Sequence, residues 1–320
     1  MISTPLATVV ICTRNRSSSL ARTLDSIVVA ASHVDEIWEL VIVDNGSTDD
    51  TPGVIESYAD KLPIRRALQP TPGLSNARNA GVAAAKGQYF LWTDDDVIVD
   101  RDWLRAWFRA FKNRPNDAVF GGRAEPRYEE PHQPWFRANE TLLASLLAIR
   151  DRPEWETIGP DRLPFGLNYA IRGVEQRRHL YDPDLGVAPG RRRGGEETAV
   201  LRAILAEGGT GSWVWDATVF HIIPAARQHE NYIRSYYEAH GFDYPIKGVQ
   251  RGAMNRLRAV LGCSRALLKS GLCYLHLRQR DRTQAVRWLV LNARASGSIS
   301  RHLGQKGPFP DIKLNFFGTR

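Results

Sequence analysis

Nine residues, Gln88-Tyr89-Phe90-Leu91-Trp92-Thr93-Asp94-Asp95-Asp96, narrow the possible folds of this chain more than any others. Tyr89 to Trp92 form a short apolar, aromatic run of the kind that makes a buried strand. The run delivers three adjacent carboxylates to the edge of a core, where they repel one another. A solvated acidic turn tolerates such a triplet. So does a hard divalent cation such as Mg²⁺ or Mn²⁺, whose preferred ligands are oxygens. The fold must therefore either open this strand end to water or build a site around it.

The surrounding pattern favours a site. Thr8–Cys12 is β-branched and alternates little, as a strand buried on both faces does. Ser17–Ala31 places Leu20, Leu24 and Ile27 on one helical face. Leu40–Val43 is a second buried strand running into the turn Asp44-Asn45-Gly46-Ser47. Thr51–Tyr58 reads as a helix with Pro52 in its first turn, and Ile64–Leu68 as a third strand. After the loop Pro70-Thr71-Pro72-Gly73, Leu74–Lys86 is a helix with Gly87 as its C-cap. This β-α-β-α-β-α-β order specifies a parallel sheet with helices on both faces, whose ligands gather at the carboxyl ends of the strands. Thr13-Arg14-Asn15, Asp44-Asn45 and Asp94–Asp96 all fall there and outline a nucleotide-sized site. Neither Gly-x-Gly-x-x-Gly nor a P-loop is present, which argues against hydride transfer and P-loop phosphotransfer. Further on, Ala118–Gly122, Leu163–Arg172 and Ser212–His221 read as strands and Glu196–Glu207 as a helix. Pro183–Gly195, rich in Gly, Pro and Arg, reads as a mobile loop.

At 320 residues the chain holds one large α/β domain or two modest ones. Its three cysteines, Cys12, Cys263 and Cys273, have no metal-ligand or redox spacing, which fits a reducing compartment. No basic region followed by an apolar one opens the chain, so a signal peptide is not expected. The net charge of +8 is uneven: residues 251–320 hold 14 Lys and Arg against Asp281 and Asp311, so the rest of the chain is slightly acidic. Such a tail suits an anionic surface.

Five segments in order and spacing resemble the inverting family 2 glycosyltransferases of the GT-A fold. They are Val9–Arg16, Val43–Ser47, Gly73–Gly81, Asp94–Asp96, and Gly195-Glu196-Glu197 with the strand to His221. The resemblance covers about Thr8 to Gly241. It implies a nucleotide-diphospho-sugar transferase fold: a mostly parallel central sheet flanked by helices, over residues 1–245. The nucleotide-sugar half would run to about 122 and the acceptor half from 123 to 245, with 246–320 a basic amphipathic helical tail. It also implies a hexosyltransferase-like reaction, in which a sugar moves from a nucleotide diphosphate to an acceptor hydroxyl with inversion, in cell-surface polysaccharide or glycan assembly. Mn²⁺ or Mg²⁺ would bridge the diphosphate through Asp96 and Asp94, with His221 as a further ligand or a structural histidine. Thr13, Arg14, Asp44, Arg78, Asp94 and Asp95 would line the nucleotide-sugar site, Asp44 otherwise being a turn former. The family's base is the second acidic residue of a Gly-Glu-Asp-like motif. Here that is Glu197, Glu standing for Asp, with Glu196 the alternative; two carboxylates at a helix N-terminus would also be favourable without catalysis. Arg191-Arg192-Arg193 would close over a phosphate or form a solvated charge run, and Arg16 would be a nucleotide ligand or a solvated helix start.

The expected partners are a nucleotide-sugar donor, UDP-sugars first, and a glycan or lipid-linked acceptor. No nucleic acid is expected, since no recognition motif accompanies the basic residues. In the tail, 253–277 fits a helix with Leu257, Val260, Leu261, Leu268, Leu272 and Leu275 on one face beside Arg258, Arg265 and Lys269. Gln284–Ala295 fits a second. Charges interrupt both, so neither spans a bilayer. The tail would lie on the anionic inner face of the plasma membrane, as a peripheral attachment of a cytoplasmic enzyme, or pack on the catalytic domain. A silent relative that binds nucleotide sugars without turnover is the rival reading. A nucleotidyltransferase is a weaker one, because its Gly-rich phosphate loop is missing after Cys12.

Overall fold

The computed structural model describes residues 4–130, 133–192, 194–246, 248 and 252–305, with only the backbone at 191 and 192. The first half alternates as its sequence demands: β1 (Ala7–Thr13), α1 (Ser17–Ala31), β2 (Trp38–Asp44), α2 (Thr51–Ser57), β3 (Ile64–Leu68), α3 (Leu74–Ala84) and β4 (Tyr89–Asp94). Then follow β5 (Val97–Val99), α4 (Trp103–Asn113), β6 (Val119–Tyr128), the single turns α5 (Pro134–Arg137) and α6 (Ala144–Leu147), β7 (Asn168–Arg172) and α7 (Gly173–Arg178). The short strands β8 (Val187–Ala188) and β9 (Arg191–Arg192) precede α8 (Glu196–Ala206) and β10 (Gly211–Ile223). Three helices end the described chain: α9 (Glu230–Asp243), α10 (Ala253–Leu277) and α11 (Arg282–His302).

Eight strands form one sheet in the order β3-β2-β1-β4-β7-β6-β10-β5. The β3-β2-β1-β4 block is parallel, as is β6 with β10, whereas β7 and β5 run antiparallel to their neighbours. Register pairs Thr13 with Asp44 and Cys12 with Asp94, so three functional strand ends share one edge. The α4 aromatics Trp103, Trp107 and Phe111 recur every fourth residue and cover one face together with Leu20, Leu24 and Ile27. On the other face Trp92 stacks along Tyr169 and meets Tyr181 edge-on, while its indole N–H donates to Gln176 Oε1 at 2.9 Å. A third cluster joins Trp135, Phe136 and Leu147 to Ile233 of α9 and to Val286 and Leu289 of α11.

Three local expectations are corrected. Gly87 does not cap α3; Ala85 does, in an extended conformation. Gly87 instead lets the chain pass against β1: its N–H donates to Thr8 Oγ1 at 2.8 Å, and a Cβ there would lie 2.4 Å from the Thr8 nitrogen. The strand expected over Leu163–Arg172 starts only at Asn168, because Phe165–Asn168 makes a turn. The segment Pro183–Gly195 contains the β8-β9 pair, with Arg193 outside the described residues. Two close contacts seat the last helix: a Cβ on Gly297 would sit 1.9 Å from the Glu238 carbonyl oxygen, and one on Gly241 2.2 Å from that of Arg294. Only glycine permits this backbone approach of α11 to α9.

Candidate active site

Loop tethers preset the strand ends. Asn15, at φ 51°, accepts the Thr48 N–H through Oδ1, while its own N–H donates to Ser47 Oγ. Asn45 donates to the carbonyls of Gln69 and Thr71 and accepts from Gly73 N–H, which fixes the loop that opens α3. Asp44 is buried and accepts from Ser47 N–H and from Arg66, contacts that hold the turn after β2. Thr13 is buried beside it. Arg14 points two buried guanidinium nitrogens, Nε and Nη1, at no partner among the described residues. A buried donor left unpaired is costly, and no acceptor for these two nitrogens is found among the described residues.

The acidic triplet is held by two arginines. Arg16 bridges Asp95 at 2.5 Å and Asp96 at 2.8 Å, so it is no solvated helix start. Arg227, which follows β10, reaches Asp96 at 3.0 Å and donates to His221 Nε2 at 3.0 Å. Burial raises the carboxyl of Asp95 to about 6 against the pull of Arg16, and burial with Asp96 nearby raises that of Asp94. Burial opposes ionisation of Asp96 too, but Arg16 and Arg227 outweigh it and hold that carboxyl well below the usual range. The Asp96 carbonyl accepts the Ile222 N–H, which docks β10 so that His221 Nε2 lies 3.7 Å from Asp96 Oδ2. His221 Nδ1 donates to the Leu147 carbonyl at 2.9 Å, because an acceptor there requires the proton on Nδ1. That tautomer leaves Nε2 with its lone pair, the form in which histidine ligates metals.

A second cluster sits at the N-terminus of α8. Arg78, buried on α3, meets Glu196 at 2.9 Å and Glu197 at 3.7 Å, over the rings of Trp92 and Tyr181. Glu196 is buried, whereas the side chain of Glu197 keeps 16% of its surface exposed. Burial and the adjacent Glu197 push the Glu196 carboxyl up to about 8, despite Arg78. Gly166 passes over this pair: a Cβ there would stand 2.6 Å from Arg78 Nη2 and 3.6 Å from the Glu197 carboxyl carbon. Cys12 connects the two clusters. Burial lifts its thiol to about 12, and the charges acting on it are Arg78, Asp94, Asp95 and Glu196.

The structure thus brings Asp94, Asp95, Asp96 and His221 together at one edge, with Thr13, Arg14 and Asp44 flanking them. Arg78 is directed to the acidic pair. Among the described residues no three His, Cys, Asp or Glu side chains already converge as a cation cage; Arg16 and Arg227 stand among them. Arg227 was missed by sequence reasoning. The available signal was its place six residues beyond His221, on the turn Ala225–Gln228 that leaves β10. Two observations fit a divalent cation with a diphosphate. Asp96 and His221 present an oxygen and a lone-pair nitrogen at a separation that two bonds of about 2.1 Å can span. Arg16 and Arg227 supply cationic donors around them.

A family model described as "Glycosyl transferase family 2" matches residues 8–171. Among curated proteins, the validoxylamine A glucosyltransferase of Streptomyces hygroscopicus subsp. jinggangensis is 34% identical over 104 residues, 32% of this chain and 24% of that protein. The PGL/p-HBAD biosynthesis glycosyltransferase of Mycobacterium bovis is 34% identical over 125 residues, 38% of this chain and 47% of that protein. The Pasteurella multocida hyaluronan synthase is 27% identical over 146 residues, 44% of this chain and 15% of that protein. The chain therefore spans less than half the length of these relatives. Among solved structures, the Pyrobaculum calidifontis mannosyltransferase PcManGT, in complex with GDP-Man and Mn²⁺, superposes with a TM-score of 0.59 at 18% identity, covering 94% of this chain and 88% of that one. S. aureus TarS in complex with UDP-GlcNAc gives 0.51 at 14% identity, covering 96% and 94%. At these identities the likeness concerns the fold, which is GT-A.

Proposed function

The chain belongs to glycosyl transferase family 2, and from that premise we propose that this glycosyltransferase works by metal-assisted, inverting transfer from a nucleotide-diphosphate sugar. Residues 1–245 would carry the chemistry, the donor half ending near 122, and 246–320 would form a basic helical tail. The observation that carries this reading is the meeting of Asp96 with His221, whose Nδ1 is held by the Leu147 carbonyl, beside the two cations Arg16 and Arg227.

Asp96 and His221, with Asp94 adjacent, would hold Mn²⁺ or Mg²⁺. Bound there, the ion would neutralise charge growing on the departing diphosphate. Arg14, whose two buried nitrogens have no partner among the described residues, and Thr13 would receive the nucleotide; Asp44 would shape the turn beneath it. Glu197 is the base: its carboxylate is the accessible member of the pair and takes the proton of the acceptor hydroxyl. The hydroxyl oxygen then bonds to the anomeric carbon as the bond to the diphosphate oxygen breaks, and that oxygen leaves with the electron pair. Glu196, buried and paired with Arg78, positions the α8 N-terminus. UDP- or GDP-sugars as donors fit the UDP-GlcNAc and GDP-Man of the solved neighbours, and a glycan acceptor fits the hyaluronan synthase among the relatives, with a lipid-linked acceptor as the alternative.

The test is calorimetry of UDP and GDP with Mn²⁺ on wild type and Asp96→Ala. Binding that requires Mn²⁺ in wild type and disappears in the variant supports the reading; binding that ignores both metal and substitution removes the cation from it.

A further inference from the structure

The helix α10 is buried on one side only. Ala259, Cys263, Ser270 and Tyr274 face the protein, and Asn292 of α11 donates to the Leu267 carbonyl and to Ser270 Oγ. On the opposite side Met254, Leu257, Leu261, Leu268, Leu272 and Leu275 are each more than half exposed, Leu268 and Leu272 to 69% and 70%. Spacings of three, four and seven residues place all six on one stripe. At 1.5 Å per residue it runs for about 30 Å. Contiguous apolar surface of this extent marks an interaction site.

The charges beside the stripe select its partner. Arg258, Arg265 and Lys269 are exposed along its flank, and α10 contains no Asp or Glu. Residues 252–305 hold ten Arg and Lys against the single Asp281. A second copy docked by the same stripe would bring no carboxylate from α10 to these cations. An anionic bilayer offers both hydrocarbon and negative headgroups at the depth where an in-plane amphipathic helix sits. No helix among the described residues is long and apolar enough to cross a membrane.

We propose that α10 lies in the plane of an anionic lipid surface, its leucine stripe in the acyl boundary and Arg258, Arg265 and Lys269 among the headgroups. This goes beyond the catalytic reading and does not depend on it. It would hold the enzyme where lipid-linked acceptors are presented.

The experiment is co-sedimentation of the full chain with phosphatidylcholine vesicles, with and without phosphatidylglycerol, at low and high salt. No turnover is read, so its failure says nothing against transfer. Wild type is expected to pellet with anionic vesicles and to be released by salt, since the arginines act over a short screened range. Arg258→Glu, Arg265→Glu and Lys269→Glu together are expected to weaken partition by at least about 10²-fold, each basic residue counting for about 1 kcal/mol. Leu261→Ser, Leu268→Ser and Leu272→Ser together are expected to abolish it, with unchanged circular dichroism. Equal binding to neutral vesicles overturns the charge selection. No vesicle binding overturns the proposal, and wild-type self-association lost in the leucine variant assigns the stripe to a second copy.

Discussion

Replacing Arg227 with methionine should tighten the binding of Mn²⁺ to the nucleotide-free protein. The guanidinium contacts both groups that would ligate the cation, Asp96 Oδ2 and His221 Nε2, each at 3.0 Å. A metal arriving alone must displace it from both. Hydrogen bonds to a charged partner contribute about 1.5–3 kcal/mol each, and part of this is recovered when the freed guanidinium is hydrated. A net release of about 1.5–3 kcal/mol corresponds to roughly 10–10²-fold in affinity. Arg16 still neutralises Asp96 in the variant, so the fold should survive. With a nucleoside diphosphate present the order should invert, because the phosphates draw Arg227 away from Asp96 in wild type and the variant lacks that donor. Paramagnetic titration of Mn²⁺, with and without UDP or GDP, reads both effects. If a folded Arg227→Met protein binds Mn²⁺ alone no more tightly than wild type, Arg227 does not compete for the site.

The two glutamates should separate. Glu197→Gln should leave donor affinity intact and lower transfer by about 10²–10⁴-fold, the usual contribution of a general base; an active Glu197→Gln beside an inactive Glu196→Gln would exchange their roles. The pH dependence of stability should expose Glu196. Its folded pKa of about 8 lies above the ordinary 4.5, so the folded state holds the proton more tightly and stability falls as pH rises from about 4.5 to 8. Urea unfolding across that range should show a flatter decline in Glu196→Gln; an unchanged slope would place the titrating group elsewhere.

Local pattern made the first half of the fold legible. Uninterrupted β-branched and aliphatic runs such as Val9–Ile11 and Leu40–Val43 read as buried strands, and each ends near the residues that line the edge. What depended on distant partners was not legible. Nothing local marks β7 as the antiparallel strand inserted between β4 and β6. The ion pairs of Arg16 and Arg227 with Asp96 span 80 and 131 positions, and that of Arg78 with Glu196 spans 118. The stripe on α10 was visible as a stripe, but its exposure was not. Periodicity reports that a face is apolar, and only packing decides whether it is covered: the face that carries the small residues Ala259, Cys263 and Ser270 is buried instead.

Donor consumption measured with and without metal is the most direct test. Purified protein would be incubated with UDP- and GDP-sugars in Mn²⁺ or in EDTA, and the released nucleoside diphosphate quantified for wild type and Asp96→Ala. Metal-assisted transfer predicts release with at least one donor, lost in EDTA and in the variant. Release that persists in EDTA, or that Asp96→Ala leaves unchanged, would contradict the role given to the Asp96–His221 site.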